Sequence, residues 1–404
     1  MTSEYTANNP SLTYSEYMKK IDRLGDLIES EADEGEELTH ITDKVANTFK
    51  EEGIYKMLLP SELGGAQLPW SEAMEVTERI AYHDGATGWC AMVGNVAAGD
   101  VGAFLGEEGV KETYEKIPNL LVGGQGVPNG KAKRVDGGYI INGDWNYGSG
   151  IYHADLVHSG CFVVDDEGKN VMLPSGVPEI VLTHYLPKDM ELKHNWHVLG
   201  LKATGSYDYS SHDLFIPEKM CISFDASEPV RGGVKYSGGL IPLTTWGHTT
   251  FALGCTRRAL DELAKLSTYK ANPFGIMGDF PGFQEHFARA EAKYRSARAF
   301  CYEVWTDIDE TNARGEGPSV KQLALVRLAM RHLHEVGSEI TTFTHIRGGG
   351  VSLRESVLQR CFRDMHGGTQ HILLSDQIMQ GCGKVLSGRA SKDAYWHMLG
   401  LIED

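Results

Sequence analysis

The sequence predicts an α+β, multi-domain chain in three parts: a helical domain over residues 1–118, a β-barrel-like domain over 119–228 and a helical bundle over 229–404. Three observations predict it. Up to about residue 116, apolar residues recur at three- and four-residue spacing, the repeat of an amphipathic helix. From about 120 to 225 the repeat shortens to two, with glycine turns between short runs. Beyond residue 240 the helical repeat returns.

Taken in order, Tyr14, Tyr17, Met18, Ile21, Leu24 and Ile28 line one helical face, and Ile41, Val45, Phe49 and Ile54 line another. The acidic run over 29–37 between them reads as a solvated linker or face. Leu58-Leu59-Pro60 with Gly64-Gly65 closes this stretch. Trp70-Ser71 starts a helix with Ala73, Val76, Ile80 and Ala81 on its apolar face. After Asp84-Gly85 comes Ala86-Thr-Gly-Trp-Cys-Ala-Met-Val-Gly-Asn95, whose Trp89, Met92 and Asn95 stand about a turn apart. Small residues beside a tryptophan either pack a core or line a slot for a flat ligand, and both readings stay open. Strands are expected at 120–122, 138–143, 156–164, 171–173, 180–182 and 213–217. In Trp145-Asn-Tyr147-Gly-Ser149-Gly150 the glycines either make a plain turn or bring amides and a hydroxyl close to a ligand. Helices are expected over about 249–271 and 282–310, and from the N-cap Ser319 towards Arg347. Gly348-Gly-Gly350 interrupts the pattern.

The net charge of −17 argues against nucleic acid or an anionic membrane as main partner. No run of eighteen apolar residues suggests a membrane span, and the polar first thirty residues hold no signal-peptide core. Seven cysteines without a C-x-x-C suggest neither a disulfide framework nor a zinc knuckle, so a reducing cytoplasm is expected. His194 and His197 lack a third ligand nearby, and no metal is expected.

The stretch most committed to chemistry is Arg360-Cys-Phe-Arg363-Asp364-Met-His366-Gly367-Gly-Thr-Gln-His371-Ile-Leu-Leu-Ser375-Asp376. On a helix, His371 and Ser375 share a face, whereas His366 and His371, five apart, diverge and argue against a shared metal. The segment is either a capped helix with a satisfied histidine or a rim that projects an imidazole into a cavity.

Over nearly its whole length the chain resembles the acyl-CoA dehydrogenase superfamily. Gly137-Gly-Tyr-Ile-Ile-Asn-Gly143, Trp196-His-Val-Leu-Gly-Leu-Lys-Ala-Thr-Gly-Ser206, Leu214-Phe-Ile-Pro217, Phe274-Gly275 with Gln284, and Arg363-Asp364 are similar to its signatures. The resemblance implies an N-terminal helical domain, a central β-domain and a C-terminal four-helix bundle around a flavin. It also marks departures from the dehydrogenases, which remove the proton alpha to a thioester with a carboxylate. One position for that base reads Gly367-Gly-Thr-Gln-His371, without Glu, and the other falls near Thr244. The usual flavin loop is replaced by Gly124-Gln-Gly-Val-Pro128, and Lys270-Ala271 stands where an arginine precedes Phe-Gly.

Within the superfamily the chain looks like the flavin-dependent monooxygenase branch, which contains the oxygenase component of 4-hydroxyphenylacetate hydroxylase, dibenzothiophene monooxygenase and the secosteroid phenol hydroxylase. Trp145-x-Tyr147-x-Ser149-Gly150, His371 eight residues after Arg363, and Ala86-Thr-Gly-Trp89 carry that likeness. It implies the oxygenase component of a two-component system: a separate reductase supplies reduced flavin (FMNH2 or FADH2), and oxygen added at flavin C4a passes from the hydroperoxide to a small organic substrate, hydroxylating an aromatic ring or oxidising a heteroatom. By the same resemblance Ser149 holds the flavin N5 proton and His371 serves the peroxide, with Ser375 or Asp376 as partner. Trp145, Ser149, Gly150, Phe274, Gln284 and His371 are the candidate cofactor contacts, Trp89, Met92, Asn95 and His248 the candidate substrate pocket. For a phenol, a second base would come from His83, His153 or His248. A homotetramer is implied, with Phe274 and Gln284 reaching a neighbour's flavin. Two alternatives stay open: a flavin dehydrogenase or oxidase with Asp376 as base, and a flavin-binding scaffold without catalysis.

Overall fold

The computed structural model describes residues 11–117 and 119–403; the expected segment limits at residue 1, Pro118 and Asp404 lie outside them. The first helix, α1 (Tyr14–Leu38), starts at a capping box in which the Thr13 hydroxyl accepts from the Glu16 amide and the Glu16 carboxylate accepts from the Thr13 amide. It buries Tyr17, Ile21, Leu24 and Ile28, the expected face. The acidic run 29–37 is no linker, because it lies inside α1 and its carboxylates hold guanidinium groups of much later helices. Glu29 accepts two hydrogen bonds from Arg258, Glu36 two from Arg363, and Asp33 pairs with Arg360. Those partners are more than two hundred residues away, out of reach of any local pattern.

Next come α2 (Asp43–Glu51), α3 (Trp70–His83), α4 (Gly85–Phe104) and α5 (Glu107–Glu112). The Asp84 carboxylate caps α4 by accepting from the Thr87 amide at 2.8 Å. Its small residues are steric requirements: a Cβ at Gly88 would fall 2.4 Å from the Ala81 Cβ of α3. Every residue of α4 is buried except Val93 and Val96. With Trp89 they follow i, i+4, i+7 spacing, and both are half-buried and packed against the core.

The middle of the chain is one seven-stranded sheet. β1 (Val122–Val135), β2 (Gly138–Gly148), β3 (Leu156–Val164), β4 (Ile180–Tyr185), β5 (Glu191–Leu192), β6 (Tyr207–Pro217) and β7 (Cys221–Ser223) stand in the order β5-β6-β2-β1-β3-β4-β7. Only the β1–β3 pair is parallel. The expected barrel does not close: the edge strands β5 and β7 have two and three residues and pair with no further strand among the described residues. The expected strand at 171–173 makes only an isolated bridge from Met172 to Pro178. Ile141, Val157, Val163 and Tyr209 pack with Trp145 into a separate core of the sheet.

The last part comprises α6 (Leu240–Ser267), a hairpin of β8 (Ala271–Asn272) and β9 (Gly275–Ile276), α7 (Pro281–Ala313), α8 (Val320–Gly348), the short α9 (Gly350–Leu353), α10 (Val357–Gly368), α11 (Asp376–Leu386) and a final hairpin of β10 (Tyr395–His397) and β11 (Gly400–Ile402). α6 begins nine residues before the expected Thr249. Thr244, Thr245, Thr249 and Thr250 mask its start, since threonine is a poor helix former; here Thr244 and Thr249 return their hydroxyls to carbonyls four residues back. Ser319 caps α8 in a capping box with Gln322, as expected. The signature segment differs from expectation. α10 ends at Gly368, and His371 caps a single 3-10 turn, Ile372–Leu374, ahead of α11. His371 and Ser375 therefore share no helical face. No described helix is long and apolar enough to cross a membrane.

Candidate active site

Four places bring the expected residues together: the start of α4 (Trp89), the residue just after β2 (Ser149), the first half of α6 (His248) and the turn after α10 (His371). The Trp89 Nε1–H donates to Ser149 Oγ at 3.0 Å. The ring of Trp89 lies 5.0 Å from His248, 6.1 Å from His371 and 5.1 Å from Phe251 between centroids. His248 and His371 are 3.9 Å apart, tilted by 41°.

The hydroxyl chain leading away from Ser149 has a fixed direction. Thr204 Oγ1 donates to the Leu201 carbonyl at 2.9 Å, which accepts only. Ser206, 2.7 Å from Thr204, must then donate to it, and Ser149, 2.8 Å from Ser206, must donate in turn. Ser149 thus accepts from Trp89, gives its proton to Ser206, and keeps one lone pair free. Next to it Gly150 has φ +71°, and a Cβ there would meet nothing within 4 Å, so backbone faces open space.

A third imidazole, which sequence reasoning missed, belongs to the cluster: His334 of α8. It is 1% exposed, 6.5 Å from Phe251, and its Nδ1–H donates to the Met330 carbonyl at 2.9 Å. No sequence signal separates it from an ordinary core histidine. The groups that shift His248, His334 and His371 are one another, Arg331 and backbone; no carboxylate is among them. Burial first, then the neighbouring imidazoles, holds His371 down to about 4 and His248 well below its ordinary value. The Leu373 amide donates to His371 Nδ1 at 3.3 Å, so the neutral ring carries its proton on Nε2. Two polar atoms of the cluster, His248 Nδ1 and His334 Nε2, are buried without a partner.

Other expected site residues lie elsewhere. Trp145 is in the sheet core, stacked on Tyr209 at 5.4 Å with its N–H donated to the Gly160 carbonyl, so it positions the Ser149 strand and cannot touch a ligand. Asn95 is fully buried; its amide accepts from the Met57 amide and donates to the carbonyls of Ile54 and Ala91, all at 2.9 Å, which leaves nothing for a substrate. Met92 is buried against Gly247, and the half-buried positions of α4 are instead Val93 and Val96. Phe274 and Gln284 are exposed around the β8–β9 hairpin, where Phe274 lines an outer groove with Lys270 and Phe280. His83 and His153 are engaged with Glu29 and Asp43, leaving His248 as the histidine of that trio beside His371. No hydrogen bond joins the His371 ring to Ser375 or Asp376: the Asp376 side chain is 88% exposed and faces Arg331 at 3.8 Å. It cannot serve as a base at this cluster. Thr244 stands one turn before His248 on α6, with no acidic group in the position.

Residues 24–120 and 246–376 match the models for the N-terminal and C-terminal domains of acyl-CoA dehydrogenase. The chain is 30% identical over 368 residues to the indole-3-acetate monooxygenase of Pseudomonas putida, covering 88% of this chain and 90% of that protein. It is 26% identical over 365 residues to the flavin-dependent monooxygenase oxygenase subunit HsaA of Mycobacterium tuberculosis, covering 87% and 90%. Among solved structures, XiaF from Streptomyces sp. in complex with FADH2 superposes with a TM-score of 0.84 at 20% identity, over 93% of this chain and 96% of that one. Flavin chemistry, an imidazole cluster and the missing carboxylate thus agree: the chain belongs to the acyl-CoA dehydrogenase superfamily, and within it to the flavin-dependent monooxygenases that act as oxygenase components.

Proposed function

We propose that the cluster receives a flavin in its reduced form, FMNH2 or FADH2, from a separate reductase and uses dioxygen to oxidise a small aromatic substrate. The free lone pair of Ser149 carries this reading. A reduced flavin ring presents an N–H at N5, which that lone pair can accept; oxidised flavin has only an acceptor there, and Ser149 has no proton left to give. Open space over Gly150 and the unpartnered His248 Nδ1 and His334 Nε2 also fit a flat ring with polar edges.

Bound reduced flavin supplies the electrons that activate dioxygen. The chain does the rest. Ser149 holds the ring N–H, and Trp89 and Ser206 fix its orientation. His371, neutral across the physiological range, offers its Nε2–H as a hydrogen-bond donor to a partly anionic oxygen atom. Trp89, Phe251, Val93 and Val96 keep water away, which protects against loss of oxygen as hydrogen peroxide. His248, held neutral by burial, offers a partnerless buried nitrogen as a hydrogen-bonding group for the substrate. The exposed Phe274, together with Tyr269 and Ile346, is apolar surface that a second copy would cover, supporting a homotetramer in which Phe274 and Gln284 serve a neighbour's flavin. Seven unpaired cysteines suit a reducing cytoplasm.

The test is anaerobic titration with reduced and oxidised FMN and FAD, followed by mixing with oxygen and substrate. Reduced flavin should bind about five- to 150-fold tighter than oxidised, since a lost hydrogen bond in a closed site is worth about 1–3 kcal/mol. His371→Ala should keep that binding but divert turnover to hydrogen peroxide. Equal affinity for both redox states, or unchanged coupling in His371→Ala, would refute the assignment.

A further inference from the structure

Asp100, His158 and His184 form a second convergence of polar side chains, from α4, β3 and β4. One potential ligand atom from each lies within 4.8 Å of the other two. Asp100 is 2% exposed and His184 1%. Asp100 Oδ1, His158 Nδ1 and His184 Nε2 are all buried with no hydrogen-bond partner, and no ion pair reaches Asp100.

The tautomers follow from the remaining ring nitrogens. His184 Nδ1 lies 3.1 Å from the Met220 carbonyl, so it carries the proton and Nε2 is a bare lone pair. The Cδ2 edge of the His158 ring lies against Gly124, whose backbone the ring bonds, and an Nε2–H donated there leaves the partnerless Nδ1 bare as well. With Asp100 ionised this makes three acceptors facing one point and no donor among them. A water molecule has two protons and leaves one acceptor unsatisfied; a divalent cation satisfies all three. The outward N–H of each imidazole held by backbone is also the arrangement that orients histidines on a metal.

We propose that Asp100, His158 and His184 bind a divalent first-row transition cation, zinc foremost, with a water in the open position on the His158 side. The donor set of two imidazoles and one carboxylate suits zinc in tetrahedral geometry. A point equidistant from three atoms no more than 4.8 Å apart lies at most about 2.8 Å from each, so closing to about 2.0–2.1 Å needs an inward shift of at most about 0.8 Å per side chain. Asp100 is eleven residues along α4 from Trp89, roughly 16 Å at 1.5 Å per residue. At that distance the cation takes no part in oxygen transfer. It fastens the buried helix α4 to strands β3 and β4, and so holds the Trp89–Val93–Val96 face against the sheet.

The experiment uses the full chain, loaded with Zn2+ or Co2+, freed of loosely held metal by gel filtration and assayed by elemental analysis and visible absorption. About one metal per chain is expected, with the d–d bands of a low-symmetry cobalt site. Asp100→Asn and His184→Gln should each lower retained metal about tenfold or more and abolish the zinc-dependent rise in Tm, whereas His371→Ala should retain both. Should Asp100→Asn fail to fold by circular dichroism, His158→Gln provides the same reading. Less than about 0.1 metal per chain in the parent, or equal retention in Asp100→Asn, His184→Gln and parent, would overturn the site; the three acceptors would then share a proton on Asp100.

Discussion

Acidification should destabilise this protein through its imidazole cluster, and His334→Leu should remove a measurable share of that loss. Burial holds His334 down to about 4 against an ordinary value of 6.5. A folded value below the unfolded one means that the unfolded chain binds the extra proton, so stability is full above about 6.5 and falls as pH drops towards about 4. Between pH 7 and pH 5 one such group costs about 2 kcal/mol, from 1.36 kcal/mol per unit weighted by the two titration curves. His371 shares the direction but is partly exposed, so its own share is smaller. The assay is urea unfolding by tryptophan fluorescence at both pH values. The parent should lose about 2 kcal/mol more than His334→Leu over that interval. Identical pH dependence in the two proteins would refute the claim that this imidazole is held neutral by its surroundings.

Ser149→Ala leaves the buried Trp89 N–H without an acceptor, so stability should fall by about 1–3 kcal/mol and reduced-flavin affinity should drop with it; unchanged unfolding midpoints would show that the indole has another acceptor. Saturated acyl-CoA thioesters should give no dye reduction with the flavin-loaded chain, because the cluster holds no carboxylate base; measurable turnover would refute that absence.

How legible each part was in the sequence depends on the range of the force that builds it. The faces of α1 and α3 and the cap of α8 rest on spacing within a few residues, and they stand as read. The start of α6 was hidden by threonines whose helical state is supported by burial against other elements. The barrel failed because closure depends on edge-strand length and pairing, which a period-two pattern cannot report. Ser149 and His371 were visible beside glycine breaks and Trp89 in a small-residue helix, their roles coming from the family resemblance, whereas His248 was one of three unranked histidines. His334 was not visible, since a lone histidine inside an apolar helix looks the same whether it faces a core or a cavity. Asn95 differs for the opposite reason: its spacing from Trp89 and Met92 suggested a pocket, but the turn at 54–57 consumes its amide.

Two signatures that look separate in sequence are one device in space. The Leu201 carbonyl ends the hydroxyl chain from Ser149, and the Leu201 amide donates to Asp364 Oδ1 at 2.6 Å. Arg363 adds a bond to the Leu199 carbonyl while Glu36 of α1 clamps its guanidinium, and a Cβ at Gly200 would fall 1.8 Å from the Arg363 carbonyl oxygen. The Arg-Asp pair of α10 therefore anchors the loop that sets the direction of the Ser149 proton. Burial, with Asp84 nearby, pushes Asp364 up to about 7, yet it stays in place because its oxygen is the acceptor for that loop. A scaffold built this way can lose the carboxylate that a dehydrogenase needs and keep its Arg-Asp, since the pair serves hydroxyl orientation and not proton abstraction. Imidazole then suits the vacated position: neutral at the working pH, it brings one N–H donor to the site without the negative charge that would repel a developing oxyanion.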